Sequence, residues 1–245
     1  TDPRTIKVLR KGMLDWGFKG LTLAHDLASK ARLLGQPDDI PQATSGKPKI
    51  RETAVELVRR PIRVELPKRS YRSELGLEDR TMIPIIRDAS RLDDDSEAIF
   101  YFPGCGSERL FSDIGLATLA MLYEAGAQTV LPPGYLCCGY PQTSAGLHEK
   151  GQRITTDNRV LFHRVANTLN YMDIKTVIVS CGTCMDQLLK YEFEQIFPGC
   201  RLLDIHEYLM EKGYALEGVD GVQYMYHDPC HTPMKSYAPL TVAST

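Results

Sequence analysis

The stretch Ala98-Ile-Phe-Tyr-Phe-Pro-Gly-Cys105 sets five apolar residues directly against a Pro-Gly-Cys turn. Such a run, rich in aromatics and closed by Pro and Gly, reads as a buried strand that ends in a tight loop. The pattern recurs. Thr129-Val-Leu131 runs into Pro-Pro-Gly-Tyr-Leu-Cys137-Cys138-Gly139, and Thr176-Val-Ile-Val-Ser180 runs into Cys181-Gly-Thr-Cys184. Helical periodicity fills the intervals: Glu108 to Ala125, with Leu110, Ile114, Leu119 and Leu122 on one stripe, then about Lys150 to Met172, then Met185 to Gln195. A strand at Leu202 to Ile205, a helix through Met210 and a strand at Val222 to Tyr226 complete the series. Strands alternating with helices predict an α/β fold with a parallel, doubly wound sheet. Ligands of such sheets bind outside the carboxyl ends of the strands, which is where the cysteine loops fall.

The preceding third of the chain differs in texture. Ile6, Leu9, Met13, Leu14 and Trp16, then Leu21, Leu23, Leu27, Ala28 and Leu34, follow helical spacing, and Gly12, Gly17 and Gly20 favour two short helices over one. Residues 35–49 have linker composition, a short helix is expected at Glu52 to Arg60, and residues 61–96 read as extended or mobile packing. Charge divides as the texture does, +4 through Ser96 and −6 beyond it, giving −2 overall. The expected organisation is therefore a helical and linker region at 1–96, a cysteine-rich α/β domain at 97–225 and the start of a truncated further repeat at 226–245.

All seven cysteines lie between Cys105 and Cys230. An odd number with one adjacent pair and one C-x-x-C does not read as a secreted disulfide framework. In a reducing cytoplasm it points to metal ligation or thiol redox chemistry. Thirty-one residues separate Cys105 from Cys137 and 42 separate Cys138 from Cys181, so five thiols are offered to one locus. Glycines beside them allow close backbone approach, and Cys181 and Cys184 open a helix whose N-terminus favours thiolate. Five sulfurs exceed the four that zinc or a compact four-iron cluster takes, and adjacent cysteines suit a centre with several irons. An opened or enlarged iron–sulfur cluster follows. Zinc on a four-cysteine subset, a C-x-x-C dithiol and an inert buried set are the alternatives.

The pattern Cys…Cys-Cys-Gly…Cys-x-x-Cys, with FPGC at 102–105 and CCGYP at 137–141, resembles the CCG (cysteine-rich) domain. That domain occurs in a subunit of heterodisulfide reductase, the glycolate oxidase iron–sulfur subunit and lactate-oxidising iron–sulfur proteins. The resemblance spans about residues 97–231, and YHDPCH at 226–231 is similar to the opening of a second repeat. It implies a 4Fe–4S cluster, of non-cubane form in heterodisulfide reductase, held by Cys105, Cys137, Cys138, Cys181 and Cys184. Cys230 is a further metal ligand of the intact repeat pair. It also implies an electron-transfer module of a multi-component oxidoreductase acting on a glycolate- or lactate-type 2-hydroxy acid or on a disulfide. FAD then belongs to a partner oxidase domain or subunit. Two departures stand out: the interval from Cys138 to Cys181 is longer than usual, and the second repeat stops after its first cysteine. The chain is thus expected to be a piece of an enzyme. The competing class is a zinc-binding or apo structural and docking domain, or a thiol–disulfide redox module.

Other residues take plainer roles. Cys200 precedes a strand and reads as structural. His227 and His231 flank Cys230 and read as loop caps or hydrogen-bond partners, while His148, His163 and His206 read as surface or packing residues. Tyr135 and Tyr140 shield the site or fill core. No Ser/His/Asp arrangement, Walker loop or GxGxxG is present, so hydrolase, NTPase and dinucleotide readings have no support. The near-neutral charge gives no case for nucleic acid, and membrane contact is expected only through partners. Apolar runs are too short to span a bilayer, no secretory signal is expected at the start, and the location expected is cytoplasmic.

Overall fold

The structure, a computed structural model, describes residues 69–92, 96–215, 227, 229–238 and 241, together with Trp16, Lys19, Gly20, Leu23, Ala24 and Leu27. The last six are helical, as the sequence predicts there. The remaining expectations for residues 1–68, including the helix at 52–60, and the strand at 222–226 lie outside the described residues. The chain divides into two compact units, one of residues 3–66 and one of residues 67–245 with 1–2.

The second unit is α/β. Its elements are α1 (Tyr71–Glu74), β1 (Ile85–Ile86), β2 (Ala98–Phe102), α2 (Ser112–Glu124) and β3 (Gln128–Val130). There follow α3 (Tyr140–Ser144), α4 (His148–Thr168), β4 (Ile174–Val179), α5 (Gly182–Leu188), β5 (Arg201–Asp204) and α6 (Ile205–Glu211). The five strands are ordered β1-β3-β2-β4-β5. β3, β2, β4 and β5 are parallel, and only the two-residue edge strand β1 runs antiparallel, pairing Ile85 with Val130. The chain moves from β2 outward to β3 and then returns to the far side of β2 for β4, so the order reverses between β2 and β4.

Alternation along the strands explains the two cores. Phe100 and Phe102 of β2, with Val177 and Val179 of β4, face α4 and α5 through Phe162, Val165, Met185 and Leu188. Ile99 and Tyr101, with Ile178 and Leu203, face α2 and α6 through Leu119, Leu122 and Tyr208. A strand covered on both faces must be apolar throughout, which is why Ala98–Phe102 is fully buried. The first core is aromatic. Phe162 meets Phe100 edge-on at 5.0 Å and stacks on Phe193 at 5.8 Å, pairs worth about 0.5–1.5 kcal/mol each beyond burial.

Three elements depart from the sequence reading. The helix expected at 108–125 is a π-helical turn, Gly106–Leu110, followed after Phe111 by α2. The turn shifts the helical phase, so Ile114 is exposed and the buried face carries Ser112, Gly115, Thr118, Leu119 and Leu122. The helix expected at 185–195 stops at Leu188 and continues as two 3₁₀ turns around Glu192, which adopts a left-handed φ of 52°. Residues 69–92, within a stretch read as extended or mobile, bury Tyr71 and Arg72 completely and supply β1. A charged residue that is buried gives no apolar pattern to read.

Gly115 is set by close packing: a Cβ there would lie 2.5 Å from the Ser107 carbonyl oxygen and 2.7 Å from the Tyr71 ring. Gly115→Ala is expected to lower the unfolding free energy by about 1–3 kcal/mol, outweighing the gain of about 1 kcal/mol in helix propensity. Urea denaturation checks this.

Candidate functional site

Because β2, β3 and β4 are parallel, their carboxyl ends share one rim, and each is followed by a cysteine-bearing loop. The loops converge. Cys105 and Cys137, Cys137 and Cys138, and Cys184 and Cys181 are neighbours close enough to shift each other's ionisation. The Cys184 thiol donates to Cys138 Sγ at 3.5 Å, which joins the second loop to the third. The five sulfurs named from sequence therefore form one unbroken series, and Cys105 and Cys181 at its ends still feel each other electrostatically. Cys137, Cys138 and Cys184 are buried, while Cys105 and Cys181 are half-buried and mark the opening.

Local backbone makes the convergence possible. Gly104 has φ +68°, and a Cβ there would come within 2.5 Å of Cys184 Sγ, so only glycine admits the sulfur. Gly139, at φ +90°, caps α3, and its N–H points to Cys137 while the N–H of Tyr140 points to Cys138. Cys181 is the N-cap of α5, where the nearby amides of Thr183 and Cys184 favour its thiolate. The doublet is held from behind: Asn158 Nδ2 donates to the Cys137 carbonyl at 2.8 Å and to the Tyr191 hydroxyl at 3.0 Å, and that hydroxyl donates to the Cys138 carbonyl at 2.9 Å.

The thiols are electrostatically unequal. The hydrogen bond from Cys184, with help from Thr183, brings Cys181 down to about 5 despite burial. Hydrogen bonds from Cys137 and Cys184 hold Cys138 well below the ordinary thiol range. Their donors move the other way. Cys184 lies well above the range because it donates to Cys138 and Cys181, and Cys105 is raised by its bond to Cys137 and by burial. The bond with Cys105 favours ionised Cys137, but donation to Cys138 and burial outweigh it, to about 12. Two sulfurs thus favour thiolate, the form that ligates iron or zinc. Cys138 and Cys184 are in direct contact, and among the described residues no group of three or more His, Cys, Asp or Glu side chains is set to hold a single metal ion as it stands. The donor set and the glycine cradle fit a cluster whose several irons separate the sulfurs.

The other residues named from sequence fall elsewhere. Cys200 lies between Glu194 and Lys175, away from the five, and Cys230 is exposed and joins none of these thiol contacts. His231 contacts α3, which follows the doublet, and α5, which carries Cys184: Nε2 lies 2.8 Å from the Tyr140 hydroxyl and Nδ1 meets Asp186, which also pairs with Lys235 at 2.8 Å. The His231 carbonyl occupies the place a Cβ at Gly182 would need. The segment is anchored further along, where the amides of Lys235, Ser236 and Tyr237 donate to the buried Glu207 carboxylate at 2.8, 2.7 and 3.0 Å.

Sequence reasoning missed several supports. Asn158 stands on the stripe of Ile154, Phe162 and Val165 on α4, and a lone polar residue there was a usable signal. Arg72 and Glu108 carried none. They form a buried ion pair at 3.1 Å beside Tyr135, whose ring stacks under Arg109 at 4.4 Å and whose hydroxyl lies within electrostatic reach of Cys105 and Cys137. A cleft of about 360 Å³ lined by Arg91, Glu97, Tyr208 and Lys212 lies at the opposite rim and holds no cysteine. No helix among the described residues is long and apolar enough to cross a membrane.

Residues 99–189 match the family model of CCG, the cysteine-rich domain. The chain is 30% identical over 135 residues to a subunit of fumarate reductase (CoM/CoB) of Methanothermobacter marburgensis, an alignment covering 54% of this chain and 25% of that protein. It is 29% identical over 94 residues to a probable glycolate oxidase iron–sulfur subunit of Bacillus subtilis, covering 38% and 20%. It is 27% identical over 90 residues to lactate utilization protein A of an Exiguobacterium species, covering 37% and 34%. The chain thus aligns with a fifth to a third of the length of these curated relatives. No solved structure matches it.

Two outcomes follow from this geometry. Asn158→Ala strands buried acceptors and is expected to cost about 1–3 kcal/mol of stability and to raise the alkylation rate of Cys137 in the native protein, measured by mass spectrometry. Burial, against the pull of Arg72, lifts Glu108 from an ordinary 4.5 to about 7. The folded protein therefore keeps a proton that the unfolded chain releases, and stability falls as pH rises between these values. Denaturant titrations across this window should show that slope in the native sequence and a flatter profile in Glu108→Gln.

Proposed function

We propose that Cys105, Cys137, Cys138, Cys181 and Cys184 hold an iron–sulfur cluster and that the chain is the electron-transfer module of a multi-component oxidoreductase. The meeting of five thiols from three loops at one rim of the sheet carries this reading. Four thiolates satisfy zinc or a compact four-iron cluster, so the fifth favours an opened, non-cubane 4Fe–4S centre. When bound, such a cluster supplies one-electron chemistry. The chain's own residues bind it, shield it and set its potential. The amides of Gly139 and Tyr140 lie beside the doublet and those of Thr183 and Cys184 beside Cys181, where they stabilise negative charge on sulfur. Leu136, Met185 and Tyr191 keep water from the buried side, while half-buried Cys105 and Cys181 face the side from which electrons enter or leave.

The names of the relatives suggest the wider setting. A flavin-containing oxidase domain or subunit passes electrons from a 2-hydroxy acid of the glycolate or lactate type, or the module exchanges them with a disulfide. Cys230, on the segment that reaches the site through His231, belongs in this reading to a second cysteine-rich repeat. A second reading rests on one observation: the C-x-x-C pair opens α5 directly after β4, with Cys181 half-buried at the N-cap and Cys184 buried, the placement of a dithiol redox module.

Anaerobic reconstitution of the full chain with iron and sulfide tests the first reading. About four irons with equal acid-labile sulfide per chain are expected. Cys137→Ser and Cys138→Ser should each lose most of the visible absorption with little change in Tm. Stoichiometric zinc without sulfide would assign a structural or docking domain instead, and a metal-free chain with a reversible Cys181–Cys184 disulfide would assign the dithiol.

A further inference from the structure

The loop that delivers Cys137 has little secondary structure of its own, and Cys105 sits at the very start of a helical turn. Cys105 lies three residues beyond the end of β2, and Cys137 lies seven beyond the end of β3. Sheet pairing fixes where the strands end, not how far apart the loops stand. The second loop is tethered at its far end by Asn158 and Tyr191. At its near end it is tethered by a residue from well outside the cysteine-rich segment. Arg72 Nη2 donates to the Pro132 carbonyl at 2.9 Å, and Nε of the same guanidinium pairs with Glu108 at 3.1 Å, on the π-helical turn that follows Cys105. Its Nη1 reaches the Leu77 carbonyl at 3.5 Å. Arg72 and Glu108 are 2% and 1% exposed, so neither holds its place by exchange with water.

We propose that Arg72 is a positioning residue for the thiol site, a buried clamp that sets the separation of the Cys105 and Cys137 loops. A planar guanidinium fits the task because its donors leave in fixed directions, so the Nη2 bond to one loop sets where the cation stands against the carboxylate beside the other. Lysine offers a compact charge whose three donors rotate on a flexible stem, so bonding one loop does not orient the donor offered to the other. The clamp arm is itself braced: the Tyr71 ring packs on Gly115, and Ser112 Oγ donates to the Arg69 carbonyl at 3.1 Å. Residues 69–77 are on this view part of the functional unit, although the family match begins at residue 99.

The clamp deepens the cluster reading, and its test keeps the two separate. In the metal-free, reduced full chain, iodoacetamide labelling followed by peptide mass spectrometry reads the reactivity of each cysteine. Arg72→Met is expected to raise the labelling of Cys105 and Cys137 several-fold and leave that of Cys181, which Arg72 does not touch, unchanged. On anaerobic loading with iron and sulfide, the same variant is expected to take up about tenfold less, as changes behind metal ligands commonly do. What it retains should show an altered paramagnetic spectrum, and Arg72→Lys should restore part of the native pattern. A lone buried carboxylate could unfold the single variant, so Arg72→Met/Glu108→Leu replaces the ion pair with apolar residues, a change that folded proteins commonly tolerate. That double variant is expected to fold and still show the Cys105 and Cys137 labelling. If Arg72→Lys and the double variant both match the native labelling, uptake and spectrum, the clamp is overturned. If the native chain takes up no iron and sulfide, the cluster reading fails, and labelling alone still decides the role of Arg72.

Discussion

Gathering five thiols into electrostatic contact at one rim of the sheet, mostly out of water, is the constraint on which the rest of this structure depends. Buried sulfur ionises only if something local replaces the solvation it has lost. Here neighbouring thiols do so first, and backbone amides add to it where a loop turns tightly enough to aim its N–H groups inward. The glycines at 104 and 139 follow from the same demand. One leaves room for Cys184 Sγ, and the other adopts the left-handed conformation that starts α3 and points two successive amides at the doublet. The split between thiols that favour and resist ionisation is a direct product of this packing, since each proton lost is stabilised by a neighbour that keeps its own.

A site built on loops needs struts, and these are polar and buried. Asn158 and Tyr191 hold the carbonyls of Cys137 and Cys138 from one face of the sheet, and Arg72 with Glu108 braces the first two loops from the other. Such groups are costly to bury unless each is bonded, and the main-chain carbonyls they reach would otherwise be orphans. The two aromatic and aliphatic cores supply the driving force, whereas the struts determine which loop conformation that force stabilises. The segment around His231, pinned by Glu207 and seated against Gly182, adds a third brace on the α5 side.

Much of this was legible in the sequence for reasons that can be stated residue by residue. Ala98–Phe102 is apolar without interruption, and so is Val177–Val179, because both faces of a central parallel strand are covered there. The cysteine doublet and C-x-x-C marked their loops because thiols at such spacing have few structural uses. The failures have equally particular causes. A π-helical turn at 106–110 adds a residue to the helical period and rotated the stripe expected for α2. Glu192 took a left-handed conformation that no glycine advertised, ending the helix expected at 185–195. Arg72, a charge in a polar stretch, looked like surface.

The sequence alone determined the class of fold, the rim at which the cysteines emerge and the identity of the five thiols, because apolar periodicity and residue chemistry are local properties. Tertiary structure decided which thiols favour ionisation, which carbonyls are tied down and which distant arginine spans two loops. Those depend on pairs such as Arg72 with Pro132, or Asn158 with Cys137, brought together only when the sheet closes. Burial then converts each such meeting into a bond the fold cannot leave unmade.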